Sequence, residues 1–130
     1  MAEPAGKRIL VIDDASLVRR FYREALERAG FEVDEALNGV EALERVLGGP
    51  YDLIVVDVNM PLMDGLTFLK ALRDKNLPLS STPAMVTSTE SDPMRVAAAR
   101  AAGANFYVRK PLSQEALVEY ALLLCGAANG

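Results

Sequence analysis

The sequence contains no histidine, no tryptophan and a single cysteine, Cys125. The lack of histidine excludes His-based catalytic triads, His-ligated metal sites and a role as a phosphohistidine donor. One cysteine excludes an internal disulfide and is typical of a reducing compartment. The net charge of −4 lacks the basic excess that proteins need to bind nucleic-acid phosphates. We therefore expect chemistry based on carboxylates, hydroxyls, amines and the backbone.

Long apolar runs are also missing. The N-terminus MAEPAGKR has no hydrophobic signal core, and no segment approaches the roughly 20 apolar residues of a membrane span. A length of 130 residues with 51% hydrophobic content fits one globular domain. We expect a cytoplasmic protein with one domain over residues 1–130 and a core over about residues 7–124.

Short apolar stretches alternate with segments of helical character. The strand-like stretches are KRILVI, FEVDEA, DLIVVD, PAMVT and NFYV, and each precedes a segment with helical periodicity or capping signals. Leu17, Phe21 and Leu26 would form the apolar face of the first helix, and Asn38 with Glu41 has the spacing of a capping box. Such βα units with largely apolar strands predict an α/β fold, with a doubly wound parallel sheet covered by helices on both faces.

Polar side chains stand where the predicted strands end. Asp13 and Asp14 follow the first strand, Asp57 ends the third, Thr87 ends the fourth and Lys110 follows the fifth. Ligands of doubly wound sheets bind beyond the carboxyl ends of the strands, so these side chains should surround one crevice. Taken singly, each has an ordinary alternative as a helix cap, a turn residue, a strand residue or a surface lysine.

Three crowded carboxylates would raise one another's pKa unless a cation lay among them. Their oxygens suit Mg²⁺, and Mn²⁺ would also be accepted. A carboxylate can attack phosphorus and form an aspartyl phosphate, and this transfer requires mainly alignment and charge neutralisation. The sequence therefore predicts phosphorylation of Asp57, with Lys110 and Thr87 placed to bind the phosphoryl oxygens.

The motifs VIDD, VVDVNMPLMDG, MVTS and YVRKP, in this order and spacing, resemble the receiver domain of bacterial two-component response regulators, especially stand-alone CheY-like chemotaxis regulators. The resemblance implies a flavodoxin-like (βα)5 fold whose five-stranded parallel sheet has the order 2-1-3-4-5. It also implies a cis Lys110–Pro111 bond. The resemblance implies that Asp57 is the phosphoacceptor and that Lys110 is the phosphate-binding amine. It also implies that Thr87 and Tyr107 are switch residues. The metal ligands that it implies are Asp13, Asp14, Asp57 and the Asn59 backbone carbonyl.

Two positions depart from the CheY-like pattern. Thr89 stands where a glutamate is found, and Arg109 stands where an apolar residue is commoner. The side chains of Asn59 and Thr89 would flank the path of water, or of an auxiliary phosphatase, to the phosphorylated aspartate. These positions would therefore set the lifetime of the phosphate.

The resemblance also implies partners. A sensor histidine kinase or a histidine phosphotransfer protein would donate the phosphoryl group, and an effector such as a flagellar motor switch protein would read it. The protein would act as a monomeric switch rather than as a turnover enzyme, and would bind neither nucleic acid nor membrane. Thr87 and Tyr107 would pass the signal to the face of the fourth helix, fifth strand and fifth helix. Arg95, Arg100 and Arg109 would add positive charge there.

Other functions of the same residues remain open at this point. A single-domain phosphorelay or phosphate-sink protein would share the site, as would the receiver part of a DNA-binding regulator, although only CGAANG follows the last helix. An aspartate-nucleophile phosphatase would need a second aspartate in place of Asn59. An FMN carrier would need a hydroxyl- and glycine-rich phosphate loop in place of DDASLV.

Overall fold

A computed structural model describes residues 6–125 of the chain. Strands and helices alternate along them, as the sequence predicts. The strands are β1 (Arg8–Ile12), β2 (Glu32–Ala36), β3 (Leu53–Asp57), β4 (Ala84–Ser88) and β5 (Phe106–Arg109). The helices are α1 (Ser16–Arg28), α2 (Gly39–Leu47), α3 (Gly65–Arg73), α4 (Pro93–Ala102) and α5 (Gln114–Leu124), and a 3₁₀ turn at Leu79–Ser81 precedes β4.

The strands form one parallel sheet in the order β2-β1-β3-β4-β5, which confirms the predicted fold class and topology. The central strand β3 is buried at every position, because helices cover both faces of the sheet. One core cluster includes Phe68 and Leu72 of α3, and the other includes Leu26 of α1 and Leu117 of α5. These two layers hold the carboxyl ends of the strands at fixed positions.

The apolar face predicted for α1 is right for Leu26 and wrong for two other residues. Leu17 is 76% exposed and Phe21 is 44% exposed. The buried stripe of α1 instead consists of Tyr22, Ala25 and Leu26, with Val18 partly buried beside it. Val18, Tyr22 and Ala25 follow the three- and four-residue spacing of one helix face, and that face packs on the sheet and α5. Leu17 and Phe21 therefore lie at the surface.

Side chains cap the helices largely as predicted. The Asn38 side chain accepts a hydrogen bond from the Glu41 amide at 2.9 Å. The Glu41 carboxylate reaches back to the amide of Leu37, one residue before the position of an ideal capping box. The Lys110–Pro111 peptide bond is cis, as the resemblance implies, and Leu77–Pro78 is also cis. In residues 6–125 no helix has the length and apolarity to cross a membrane.

Candidate functional site

The carboxyl ends of four strands bring the predicted residues into one crevice. Asp13 follows β1, Asp57 ends β3, and both are buried, at 1% and 7% exposure. Thr87 of β4 is the register partner of Asp57 in the sheet, so the two side chains lie on the same face of neighbouring strands. Lys110 directly follows β5. The crevice is therefore built from residues that are distant in the chain and fixed by sheet pairing.

Lys110 bridges the two buried carboxylates. Its Nζ donates to Asp13 Oδ2 at 2.8 Å and to Asp57 Oδ1 at 3.1 Å. Burial lowers the pKa of Lys110, but the hydrogen bonds and charges of the two carboxylates outweigh it and raise the pKa overall. Lys110 is therefore a permanent cation at neutral pH, positioned directly against Asp57.

The acids are crowded even with this lysine present. Carboxylate oxygens of Asp13, Asp14 and Asp57 all lie within 4.8 Å of one another. Burial, followed by the charge of Asp13, raises the pKa of Asp57 above its ordinary value despite the opposing effect of Lys110. Uncompensated negative charge therefore remains in the crevice. Oxygen donors at this spacing fit a hard divalent cation such as Mg²⁺, and such a cation would relieve the repulsion.

Among the described residues, the Thr87 hydroxyl has no hydrogen-bond partner. Thr87 is 1% exposed, and within residues 6–125 its Oγ1 is the one buried side-chain oxygen or nitrogen without a partner. An unsatisfied buried hydroxyl lowers the free energy of unfolding, so such groups are rare unless a ligand or a function requires them. A phosphoryl oxygen on Asp57 would supply the missing acceptor.

Comparisons with known proteins agree with this geometry. A family model described as "Response regulator receiver domain" matches residues 9–122. The chain is 37% identical over 114 residues to the chemotaxis protein CheY1 of Helicobacter pylori, covering 86% of this chain and 91% of that protein. The chain belongs to the response regulator receiver family. The resemblance seen in the four sequence motifs is thereby confirmed.

Two further similarities define the family more closely. The structure of the chemotaxis protein CheY4 of Vibrio cholerae superposes with a TM-score of 0.86 and 33% identity, covering 92% of this chain and 99% of that one. The transcriptional regulatory protein ResD of Bacillus subtilis is 35% identical over 111 residues, which covers 85% of this chain but only 45% of ResD. The chain is therefore a CheY-like receiver of two-component signalling, and it spans under half of this larger relative.

Two predicted site residues lie at the rim of the receiver crevice. Asn59 is exposed in the loop after β3, and Thr89 is exposed immediately after β4. Their predicted roles, a carbonyl ligand at Asn59 and control of water access by both, stay predictions.

Tyr107 contacts the loop that follows β4. The ring is half-buried in β5, and its hydroxyl donates to the backbone carbonyl of Glu90 in the β4–α4 loop. Val108, next to Tyr107, is the register partner of Thr87. The predicted switch residues therefore lie on adjacent strands, and Tyr107 already holds the loop that follows Thr87.

The three arginines predicted to charge this face differ from one another. Arg95 is exposed but forms ion pairs with Glu90 and Asp92, so its charge is largely compensated. Arg100 and Arg109 are exposed and have no carboxylate partner within residues 6–125, and both line a cavity of about 290 Å³ beside Tyr107. The free positive charge of the face therefore comes from two arginines rather than three.

Sequence reasoning missed two residues that position the site. A Cβ atom on Gly65 would overlap the carbonyl oxygen of Asp57, so the start of α3 can approach β3 only at a glycine. The Asp-Gly pair that opens α3 was the available signal. Arg19 donates from Nη1 to the carbonyl oxygen of Asp13 at 2.7 Å and also binds Glu35 at 2.9 Å. Nothing in the local sequence around Arg19 indicates these long-range contacts.

Proposed function

We propose that this receiver is a phosphorylation-activated signalling switch that accepts a phosphoryl group on Asp57 from a sensor histidine kinase or a histidine phosphotransfer protein. One observation carries the proposal. The buried Asp57 carboxylate contacts the Lys110 ammonium and lies beside two further acids, and its register partner Thr87 carries a buried hydroxyl without a partner among the described residues. These groups match a phosphoryl group, which needs a nucleophile, a cation and a hydrogen-bond donor.

The transfer step is a simple displacement. An Asp57 carboxylate oxygen attacks phosphorus, the bond from phosphorus to the donor's imidazole nitrogen breaks, and its electron pair leaves on that nitrogen. Lys110 would then pair with a phosphoryl oxygen, and Thr87 would donate to another. Asp13, Asp14, Asp57 and the Asn59 carbonyl would hold Mg²⁺, which supplies charge neutralisation for the incoming phosphoryl oxygens. Because Asp57 is itself the acceptor, the protein would not turn over an external substrate.

The switch would follow from the new charge. A phosphoryl group adds about −1.5 to −2 charges and strong acceptor oxygens. Thr87 would move toward it and vacate the space into which Tyr107 could turn, with loss of the bond to Glu90. The surface formed by α4, β5 and α5, with Arg100 and Arg109, would then change its affinity for an effector.

We further propose that the pathway is chemotaxis, with an effector such as a flagellar motor switch protein. The likeness to the chemotaxis proteins CheY1 and CheY4, each covered over nine tenths of its length, supports this choice. The likeness to the transcriptional regulatory protein ResD supports a second candidate, the receiver part of a DNA-binding regulator. The chain covers only 45% of ResD, as the receiver part of a larger regulator would. A monomeric state and a cytoplasmic location stay predictions.

Intact-mass measurement tests the phosphoacceptor. Incubation with acetyl phosphate and Mg²⁺ should add one phosphoryl group to the wild type and none to Asp57→Asn. Asp74→Asn, a change at the exposed C-cap of α3, is the matched control and should label like the wild type. Equal labelling of Asp57→Asn, or labelling that is unaffected by EDTA, would contradict the proposal.

The switch has a separate test. A motor switch protein should bind the beryllofluoride-loaded wild type more tightly than the free protein, and Thr87→Ala should lose most of that gain while still binding beryllofluoride. A full gain in Thr87→Ala would rule out the route through Thr87 and Tyr107. Absence of a gain with every motor switch protein tested would favour the second candidate pathway.

A further inference from the structure

Arg19 of α1 holds the backbone between the two acids that follow β1. Its Nη1 donates to the carbonyl oxygen of Asp13 at 2.7 Å, and its Nε donates to Glu35 of β2 at 2.9 Å. Only 15% of the Arg19 side chain is exposed, whereas the neighbouring Arg20 lies at the surface. The Arg19 guanidinium therefore joins the β1–α1 turn to β2.

The turn that Arg19 contacts lacks the usual helix cap. The residue before α1 is Ala15, whose side chain cannot accept a hydrogen bond, and the first turn of α1 contains no acidic residue. A side-chain cap normally fixes both the first turn of a helix and the chain that enters it. Within residues 6–125 each of the other four α-helices begins with such a cap, from Asn38, Asp64, Asp92 and Ser113. The β1–α1 turn is instead held by the arginine.

The protein fixes Asp13 and Asp14 in different ways. The Asp13 carboxylate accepts hydrogen bonds from a backbone amide at 2.9 Å and from Lys110 at 2.8 Å. Asp14 is exposed, and Lys110 pairs with Asp13 and Asp57 but not with Asp14. The position of the Asp14 carboxylate therefore depends on its backbone. The peptide bond that leads into Asp14 is the one whose carbonyl oxygen accepts from Arg19.

We infer that Arg19 is a positioning residue that sets the affinity of the crevice for Mg²⁺ by fixing the Asp13–Asp14 peptide. The inference rests on the proposed magnesium site. Magnesium demands nearly ideal octahedral geometry, so a carboxylate that is free to move binds it less tightly. Arg19 acts on the ligand from behind, as the hydrogen-bonding groups around metal ligands do in other proteins.

The charge of Arg19 would have the opposite effect on Mg²⁺. A free guanidinium this close to the acids would repel a second cation. Glu35 accepts from Arg19 at one carboxylate oxygen and from Arg23 at the other, at 2.8 Å, so the charge of Arg19 is partly compensated. Loss of Arg19 should tighten Mg²⁺ binding if repulsion dominates and weaken it if positioning dominates. The direction of the change therefore separates the two effects.

Magnesium titrations followed by amide NMR test the inference without phosphoryl transfer. Arg19→Met should raise the Mg²⁺ dissociation constant about tenfold, and Arg19→Lys, which keeps one donor, should raise it about threefold. Arg20→Met is the matched control, because it removes the same charge from an exposed residue that forms no ion pair within residues 6–125. This control should keep the wild-type constant.

A second readout separates positioning from a loss of stability. Labelling of Asp57 by acetyl phosphate is measured over a range of Mg²⁺ concentrations, at a temperature where each variant is folded. Arg19→Met should need about tenfold more Mg²⁺ for half-maximal labelling and should reach the wild-type rate at saturating Mg²⁺. A lower plateau with an unchanged Mg²⁺ midpoint would overturn the inference.

Equal or tighter Mg²⁺ binding by Arg19→Met would also overturn it. If Arg19→Met does not fold, Arg19→Lys decides, and an unchanged dissociation constant in that variant contradicts the role of Arg19. Failure of the proposed magnesium site has a different signature, because the wild type itself would then show no Mg²⁺-dependent shifts of its amide signals.

Discussion

At the amino-terminal ends of the strands, charged side chains are paired, whereas at the carboxyl-terminal ends they are crowded. Arg8 of β1 donates to Asp34 at 2.8 Å and to the Pro50 carbonyl, and its guanidinium lies 4.8 Å from the centre of the Tyr51 ring. The Tyr51 hydroxyl donates to Asp34 at 2.6 Å. These contacts lower the pKa of Asp34, with the Tyr51 hydrogen bond as the largest cause.

The opposite end shows the reverse pattern. Asp57 has a raised pKa because it is buried and close to Asp13, and the buried Thr87 hydroxyl lacks a partner in the described part of the chain. Unsatisfied polar groups are rare in folded proteins and concentrate where function requires them. The comparison indicates that the polar groups at the carboxyl ends of the strands reduce the stability of this receiver, whereas those at the amino ends increase it. Substitutions at the two ends should therefore change the free energy of unfolding in opposite directions, or differ in their effect on the phosphorylation of Asp57.

The largest effect is expected at Gly65, which holds α3 against the end of β3. In Gly65→Ala the added Cβ would overlap the Asp57 carbonyl, and the free energy of unfolding should fall by about 3 kcal/mol. Acetyl phosphate labelling should fall as well, because the clash displaces Asp57. Gly48→Ala is the matched control, since its Cβ would make ordinary contacts at 3.4 Å or more. Equal stability of the two variants in urea titrations would show that α3 can shift without cost.

Arg73 should show a large effect on stability alone. Its guanidinium donates to the carbonyls of Gly103, Ser80 and Thr82, which joins α3 to the loops before β4 and β5. Arg73→Met should lower the free energy of unfolding by about 2 kcal/mol, because several carbonyls lose their donor together. Labelling of Asp57 should stay near the wild-type rate at a temperature where the variant is folded. The exposed Lys70→Met serves as control, and a matching loss of labelling in Arg73→Met would mean that the two ends are coupled.

The fold and the crevice were predictable because their signals are local or follow from topology. Strand-like runs such as LIVVD and the capping signal at Asn38 indicate where elements begin and end. The rule that the carboxyl ends of parallel strands meet at one edge then places Asp57 near Lys110 without coordinates. The sheet order itself came from the family resemblance, since periodicity alone does not determine which strands are neighbours.

The remaining features depend on contacts that no local pattern encodes. The exposure of Phe21 depends on which side of α1 meets α5, and a shift of one residue around the helix reverses the prediction. The pairing of Arg95 with Glu90 requires the conformation of the β4–α4 loop. The close approach of Gly65 to Asp57 depends on the angle at which α3 leaves the sheet. Each of these is a question of tertiary packing rather than of propensity.

A smaller pair of changes compares two buried threonines at the two ends of β4. Within residues 6–125 Thr87 Oγ1 has no partner, whereas Thr82 Oγ1 donates to the Leu79 carbonyl at 2.9 Å. Thr87→Val should raise the free energy of unfolding by about 1 kcal/mol, because an unsatisfied hydroxyl is replaced by a methyl group. Thr82→Val should lower it by about 1 kcal/mol. Thermal unfolding in EDTA measures both, and two changes of the same sign would contradict the contrast between the ends.

The smallest effect concerns the paired end and depends on pH. Tyr51→Phe should lower the free energy of unfolding by about 0.5 kcal/mol at pH 7, because Asp34 is partly exposed and its lost hydrogen bond is replaced by water. The Asp34 pKa is lowered by folding from 3.8, so this stabilisation is present above that pH and is lost as pH falls through the folded-state pKa.

The same substitution has a second signature at alkaline pH. Burial raises the pKa of Tyr51 from 10.0 to about 12, so the unfolded chain loses the phenol proton first and wild-type stability falls across that interval. Tyr51→Phe removes this fall, and the difference between wild type and variant should shrink above pH 10 as well as below pH 3.8. Tyr120→Phe is the control, because the Tyr120 hydroxyl has no hydrogen bond within residues 6–125. Urea unfolding at several pH values gives the profile. A difference that stays constant at both extremes would show that the Tyr51–Asp34 pair does not stabilise the amino-terminal end through ionisation.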